Sequence, residues 1–429
     1  MAHDRSGSSS IVDLGVFTIC GRSPRGRILA VAAALSLGAA TARTSWAGND
    51  TPPAEEIAPA PGPSTPPSPA TATASPGPTQ GYDPKAFSAG AWIRIGGRLQ
   101  NPSAPDRLDD AFMDQVYVIV SSRGQFTDWL KWQINLNANV PPTQVNGAAP
   151  PSYPSVGVQD LIAKIEPHPL LNVWVGRMLV AVDRSNLSGP WFINFWLYPG
   201  FFGNRAGPPI GLKTGQNGRD QGVTLWGQVA AGRFKYYLGA FNLDAHAAEI
   251  SPLYSGRLNI DFLDPEPGYY HQSSYHGDRD IISLGGGFQY QKNGSFTVVT
   301  AAMGTTPPVL DVGNYHLIEG DVLIDKRLGT KGVATLEANA YFYDSRQPVR
   351  RYYSVNGGYV LPWAVGPGRL APYVRYQFTQ QTAFKQIDGY VEYLIKSHFA
   401  KFFAGYFYTD FGNGVTNKAV QFGVQLVRL

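Results

Sequence analysis

The chain has a single cysteine, Cys20, among 429 residues. Zinc ribbons, disulfide scaffolds, iron–sulfur proteins and thiol enzymes are thereby excluded, because each needs several thiols or one well-placed thiol. Charge is sparse: Asp, Glu, Lys and Arg supply 15% of the residues, against ~25% in an average soluble domain. No polybasic run occurs, so the electrostatic footprint of a nucleic-acid binder is missing. Beyond residue 47, no uncharged apolar run approaches the ~18 residues that a membrane helix needs. Neither a Gly-x-Ser-x-Gly elbow nor a P-loop is present. What the chain does have is 13% aromatic residues, 48 glycines and 34 prolines. That is the profile of a β-protein.

Residues 1–47 read as an export signal with an extended front. Arg22, Arg25 and Arg27 form a positive region, and the Ala/Leu-rich stretch from Ile28 to Ala42 follows. That stretch is too short to span a bilayer but fits the apolar core of a signal peptide. Small residues bracket Trp46 at a plausible cleavage site, and the first 21 residues point equally to an over-early start. Composition then shifts. Ten prolines fall between Thr51 and Gln80, so residues 48–80 read as an extended, solvated periplasmic linker that buries no core. It serves either as a spacer or as a tether to cell-wall polymer. Residues 81–429 keep 30 of the 35 basic and 26 of the 31 acidic side chains, a net charge of +4.

In residues 81–429 the recurring signal is strict alternation, which marks a strand with two different environments on its faces. Leu130, Trp132, Ile134, Leu136 and Ala138 alternate with Lys131, Gln133, Asn135, Asn137 and Asn139. The same pattern sets Leu258 and Ile260 against Arg257, Asn259 and Asp261, and Leu336 and Ala338 against Thr335, Glu337 and Asn339. It recurs around Lys235 and Arg375. Each run is ~10 residues long, the span of a tilted membrane strand. Aromatics such as Trp129, Trp132, Phe234, Phe262, Phe342, Phe378, Phe399, Phe402 and Phe403 lie at or near strand ends, where interface girdles belong. The polar face mixes amides, hydroxyls and charges, as a water-filled lumen allows. The expected fold is all-β, a transmembrane antiparallel β-barrel of about 16 strands, with 14 to 18 also fitting the length.

Long Gly/Pro-rich connections interrupt the strands, the longest being Val180 to Arg219. It contains the aromatic segment WFINFW at 191–196, which sits poorly in a solvent loop. An inward-folded constriction loop is the sharper reading, and packing on a neighbouring subunit is the alternative. Leu263 to Arg279 reads as a solvated surface segment. Its YYHQSSYHGDRD stretch, with His271, His276, Asp278 and Asp280, lacks metal-site spacing. Asp261, Asp264 and Glu266 lack EF-hand spacing. A barrel phospholipase would need a lipid-facing Ser/His pair on adjacent strands. The candidate His398 has Ser397 on the opposite face, so no catalytic residue, metal or cofactor is expected.

VQDLIAKIEP (158–167), LNVWVGRMLVAVDRSNLS (171–188) and GRDQGVTLWGQVAAGRFKYYLGAFN (218–242) resemble the strands flanking the constriction loop in the phosphate-selective porin O/P family. YSGRLNI (254–260), ISLGGGFQY (282–290), GRLAPYVRYQF (368–378) and YLIKSHFAKFFAGYFYTDF (393–411) follow in the same order. The resemblance implies a 16-stranded trimeric outer-membrane porin for anions, inserted by the barrel-assembly machinery. It departs from the family at its end, where Leu429 replaces the usual aromatic. The constriction loop offers only Arg184, Arg205, Lys213 and Arg219 as phosphate-binding cations.

Six basic residues are expected on inward faces: Arg94, Arg98, Lys131, Lys235, Arg257 and Arg375. Asp261 and Glu337 are expected beside them. Such an excess favours anions in a narrow pore, unless each cation merely pairs with a lumen acid. The expectation is therefore a diffusion porin of the bacterial outer membrane. It would meet membrane lipid and pass small polar or anionic solutes, with a weak anion preference. The alternative is a structural or adhesive barrel with a plugged lumen and the Pro-rich arm as envelope tether.

Overall fold

The period-2 runs pair with their chain neighbours into one antiparallel sheet, and in the computed structural model that sheet closes on itself. The structure describes residues 87–101, 110–140, 155–196, 198, 212–242, 251–300, 309–344, 349–380, 383–412 and 414–428. The expected leader (1–47) and linker (48–80) lie outside the described residues, as do Arg205 and Leu429.

The strands are β1 (Ser88–Asn101), β2 (Asp110–Gln125), β3 (Leu130–Val140) and β4 (Ser155–His168), then β5 (Leu171–Leu179), β6 (Arg219–Val229), β7 (Phe234–Phe241) and β8 (Leu253–Asp261). The second half comprises β9 (Ile281–Thr300), β10 (Val309–Arg327), β11 (Val333–Tyr343) and β12 (Arg351–Val360). β13 (Arg369–Thr379), β14 (Lys385–Lys396), β15 (Ala400–Asp410) and β16 (Thr416–Arg428) complete the wall. Each strand bonds to its predecessor, and β1 closes on β16 from Ala91 opposite Arg428 to Asn101 opposite Lys418. The result is a closed 16-strand barrel. Closure leaves no sheet edge, which is the condition for placing strands in lipid.

The alternation sorts side chains as the pleat requires. Leu258 is 57% exposed, whereas Arg257 and Asn259 on either side are 2% and 1% exposed. Leu136, Leu238, Leu336 and Val374 are exposed in the same way, and Asn135, Lys235, Glu337 and Arg375 are buried. Trp129, Phe234, Phe262, Phe342 and Phe402 stand on the outer face near strand ends. Phe403 departs from the expected girdle. Adjacent strand residues point to opposite faces, so Phe403 turns inward, with its ring centroid 4.2 Å from that of Trp196. Several strands exceed the expected length, β9 with 20 residues and β10 with 19 by the most. Twenty residues extend over ~66 Å, more than a tilted crossing of a ~30 Å core requires.

Because the strand number is even, β1 begins and β16 ends at the same end of the barrel. Connections there are short, as at 169–170, 230–233 and 397–399, with one exception. The β8–β9 connection, 262–280, is far longer than the rest.

Candidate functional site

The β5–β6 loop turns inward as soon as β5 ends. Val180, Ala181, Val182, Asp183 and Arg184 are fully buried. A five-residue helix, α1 (Arg184–Ser188), starts at Asp183, whose carboxylate accepts from Asn186 N at 3.1 Å. Asn186 Nδ2 donates to Val180 O (2.8 Å) and Gly218 O (3.2 Å), pinning the two ends of the loop together. Arg257 Nη1 on β8 donates to Val182 O at 3.2 Å, and Tyr341 OH on β11 to Asp183 Oδ2 at 2.6 Å. This approach requires a wall without side chains. A Cβ at Gly287 on β9 would sit 2.0 Å from Val182 O, and one at Gly285 would sit 2.2 Å from Arg257 Nη2. Gly287 of ISLGGGFQY is thus a seat for the loop, and Gly285 leaves room for the arginine that holds it.

The aromatic segment continues to the opposite wall. Trp191 stacks on Tyr117 of β2 at 5.8 Å and meets Trp92 of β1 edge-on at 5.5 Å. Gln425 of β16 donates to Trp191 O at 2.9 Å. Phe195 packs against Tyr373 and Tyr390. The WFINFW segment therefore folds into the lumen.

The β8–β9 loop enters from the other end and meets it. Expected as a solvated surface segment, this loop is instead buried at Glu266, Tyr269, His271, Ser273, Ser274, Tyr275 and His276. The reason is a set of partners remote in sequence. Arg184 grips Glu266 with both nitrogens (Nη1–Oε1 2.8 Å, Nη2–Oε2 2.7 Å). Ser273 N donates to Phe192 O at 2.9 Å, and Asn194 Nδ2 to Ser273 O at 3.2 Å. Ser274 Oγ and Tyr275 N both donate to Asp325 on β10. His271 N reaches Leu187 O at 3.3 Å.

Electrostatics in this junction follow from burial. At Glu266, burial opposes ionisation, but Arg184 outweighs it and holds the carboxyl well below its usual range. Burial and nearby Lys235 push His271 well below the imidazole value, so its neutral ring donates Nδ1–H to Glu266 Oε2 (3.1 Å). Burial carries Asp183 up to about 6, against the hydrogen bond from Tyr341 and the charge of Arg257. His276 is held down at about 3 by burial, with Lys401 and Arg369 adding to the shift. Ser397 Oγ lies 2.7 Å from His276 Nδ1, a serine–histidine contact that sequence reading missed because 121 positions separate the two.

The residues expected to line the pore divide into two groups. Arg94 lies under the β5–β6 loop, with its guanidinium 4.2 Å from the Trp196 ring and Nε donating to Gln425. Arg257 pairs with Asp321, Arg375 pairs with Asp388 and lies 4.3 Å from the Phe195 ring, and Lys235 donates to Gly268 O. Glu337 accepts from Asn356 (3.2 Å). These side chains are buried beneath the loops. Arg98 is half-buried on β1. Within the constriction-loop set, Arg184 holds Glu266, Lys213 Nζ donates to Gln291 (3.0 Å), and Arg219 pairs with Asp160 (3.1 Å).

Lys131 belongs to the second group. It lines a cavity of about 1030 Å³ left open between the two loops and the β2–β6 wall. Five cations (Arg123, Lys131, Lys164, Arg219, Arg279) and four anions (Asp160, Glu166, Asp264, Asp278) border it. Lys131 pairs with Glu166 at 2.8 Å, while Lys164 donates to Gln133 and lies 4.0 Å from the Trp174 ring. Arg123 and Lys164 escaped the sequence reading, although Lys164 stands in an alternating run, Asp160–Ile162–Lys164–Glu166. Among the described residues, no group of three or more His, Cys, Asp or Glu is placed to hold a metal ion.

No protein-family model matches the chain, and no curated protein matches it in sequence. Solved structures do match. A loop-L8 deletion mutant of OmpT, an outer membrane protein of Vibrio cholerae, aligns with TM-score 0.50 and 13% identity over 80% of this chain and 100% of that one. The anion-selective porin from Comamonas acidovorans aligns with TM-score 0.48 and 12% identity, covering 80% and 99% of the two chains. Mutants of the Rh. blastica porin align with TM-score 0.48 and 11% identity, over 80% of this chain and all of theirs. At 13% identity the first likeness is one of fold, a closed antiparallel β-barrel.

Proposed function

We propose that the protein is a passive channel of the bacterial outer membrane for small hydrophilic solutes, with a weak preference for anions. The observation that carries this reading is the charged cavity between the loops and the β2–β6 wall of a closed barrel. A lipid-facing surface free of charge on β8, β11 and β13 supports membrane insertion, and residues 1–47 would direct export. Short turns at one end and long loops at the other fit an orientation with both barrel termini in the periplasm. The preference is weak because five cations face four anions on that cavity, while Arg94, Arg257 and Arg375 are engaged beneath the loops. Phosphate, which the O/P resemblance implies, falls within this anion class, with Lys131, Lys164 and Arg123 as its candidate contacts. A homotrimer is the assembly that the same resemblance suggests. No catalytic role is proposed, since the neutral His276 beside Ser397 is too weak a base near neutral pH.

A plugged structural or adhesive barrel is the second reading, and the junction of the two loops favours it. Liposome swelling separates the two. A channel admits small sugars and excludes larger ones, whereas equal exclusion of every solute supports the plug. Under a KCl gradient the reversal potential of a channel should lean toward chloride, and a cation-selective value would remove the anion preference.

A further inference from the structure

We propose that the β8–β9 loop is a second constriction of the channel, a plug positioned by Glu266 that sets the size limit of the pathway. This rests on the channel reading. Its starting point is an anomaly of length: at the end where β1 begins and β16 ends, connections such as 169–170, 230–233 and 397–399 are short, and this one occupies 262–280. It does not lie across the mouth of the barrel. It rises inside until its backbone bonds to that of the β5–β6 loop, through Ser273 N to Phe192 O and His271 N to Leu187 O.

Aromatic packing seats the plug on the wall, with Tyr269 stacked on Trp174 at 4.2 Å, and polar contacts fix its fold. Glu266 accepts both nitrogens of Arg184, the hydroxyl of Tyr275 (2.6 Å) and the ring N–H of His271. Its own backbone N–H donates to Asp261 Oδ2 at 3.0 Å. One side chain thus joins the two loops and fixes the fold of the second. The open cavity takes part of its lining from this same loop, at Tyr269, Tyr270 and Tyr275. Moving the plug would therefore widen the passage where the β5–β6 loop alone leaves the lumen free. Glu266 is a positioning residue here: solute meets the tyrosines, and Glu266 places them.

The test compares three refolded proteins in planar bilayers: wild type, a variant with residues 268–274 replaced by Gly-Ser-Gly, and Glu266→Gln. Folding is checked by heat-modifiable migration, and the near-isosteric Glu266→Gln decides if the shortened loop fails to fold. The expected result is a single-channel conductance at least about twofold higher in the shortened variant, because conductance through a narrow pore follows its tightest section. Glu266→Gln should show intermittent openings to that higher level. Its size cut-off in liposome swelling should rise in parallel, a change that a purely structural role would not produce. Identical steps and cut-offs from all three proteins would overturn the plug and leave the channel standing. Steps from the shortened variant alone would support the plug and contradict an open wild-type channel. Silence from all three would contradict both.

Discussion

Arg184 and Glu266 make the sharpest statement at the scale of single residues. Both side chains are essentially unexposed, so removing one leaves an uncompensated buried charge. Glu266→Ala or Arg184→Ala should each cost about 3–5 kcal/mol. The double change Arg184→Met/Glu266→Leu should cost less than their sum. The temperature at which the heat-modifiable band is lost provides the readout. Gly287 offers a steric counterpart: Gly287→Val puts a side chain where Val182 O now sits, so the β5–β6 loop must lift from β9 and the conductance must rise. On the cavity wall, Lys131→Glu combined with Lys164→Glu replaces two cations by anions. The reversal potential under a KCl gradient should shift toward potassium by an amount that shrinks at high salt. An unchanged value would take those two lysines off the solute path.

At the scale of elements, the β8–β9 loop makes the pH prediction. His271 and His276 on the loop and His398 in the β14–β15 turn are buried and neutral, with pKa values depressed by burial first. His271 faces Glu266, Lys235 and Arg184; His276 and His398 face each other, Lys401 and, for His276, Arg369. A ring whose folded-state pKa lies below its free value takes up protons more readily when undocked. Docking is therefore at full strength above about pH 6.5 and is lost as pH falls toward the folded-state values, reaching about 3 for His276. Accordingly, limited proteolysis within 262–280 should accelerate between about pH 7 and pH 4.5 in detergent-solubilised protein, once corrected for protease activity. Equal cleavage at both values would remove the histidines from the docking balance. The sequence could not reveal this loop's burial. YYHQSSYHGDRD has no period, and its partners Arg184, Asp325 and His398 are 50 or more positions from the residues they hold. The alternation of β3, β8 and β11, by contrast, is written in consecutive residues, so Arg257 and Leu258 could be assigned to opposite faces from the chain alone. The aromatic run WFINFW was legible in between: its apolar character forbade a solvent loop, yet nothing local named Tyr117, Tyr373 or Gln425 as its receivers.

For the whole molecule, the barrel wall and its contents play different parts. The wall follows from local alternation plus closure of β1 on β16, and a period-2 reading reaches it because every strand pairs with its sequence neighbour. The lumen follows from side chains brought together across the barrel. Most of the inward basic residues hold the two loops in place, and a smaller set on the β2–β6 side borders the remaining cavity. Counting inward cations therefore overstates the positive charge left over in the lumen, since pairing with Asp321, Asp388 and Glu166 neutralises much of it. The central proposal is that this cavity belongs to a conducting path. Single-channel recording of the refolded protein in a planar bilayer tests it most directly. The account predicts discrete, uniform conductance steps, with current carried more by chloride than by potassium; a folded, inserted protein that gives no steps would contradict it.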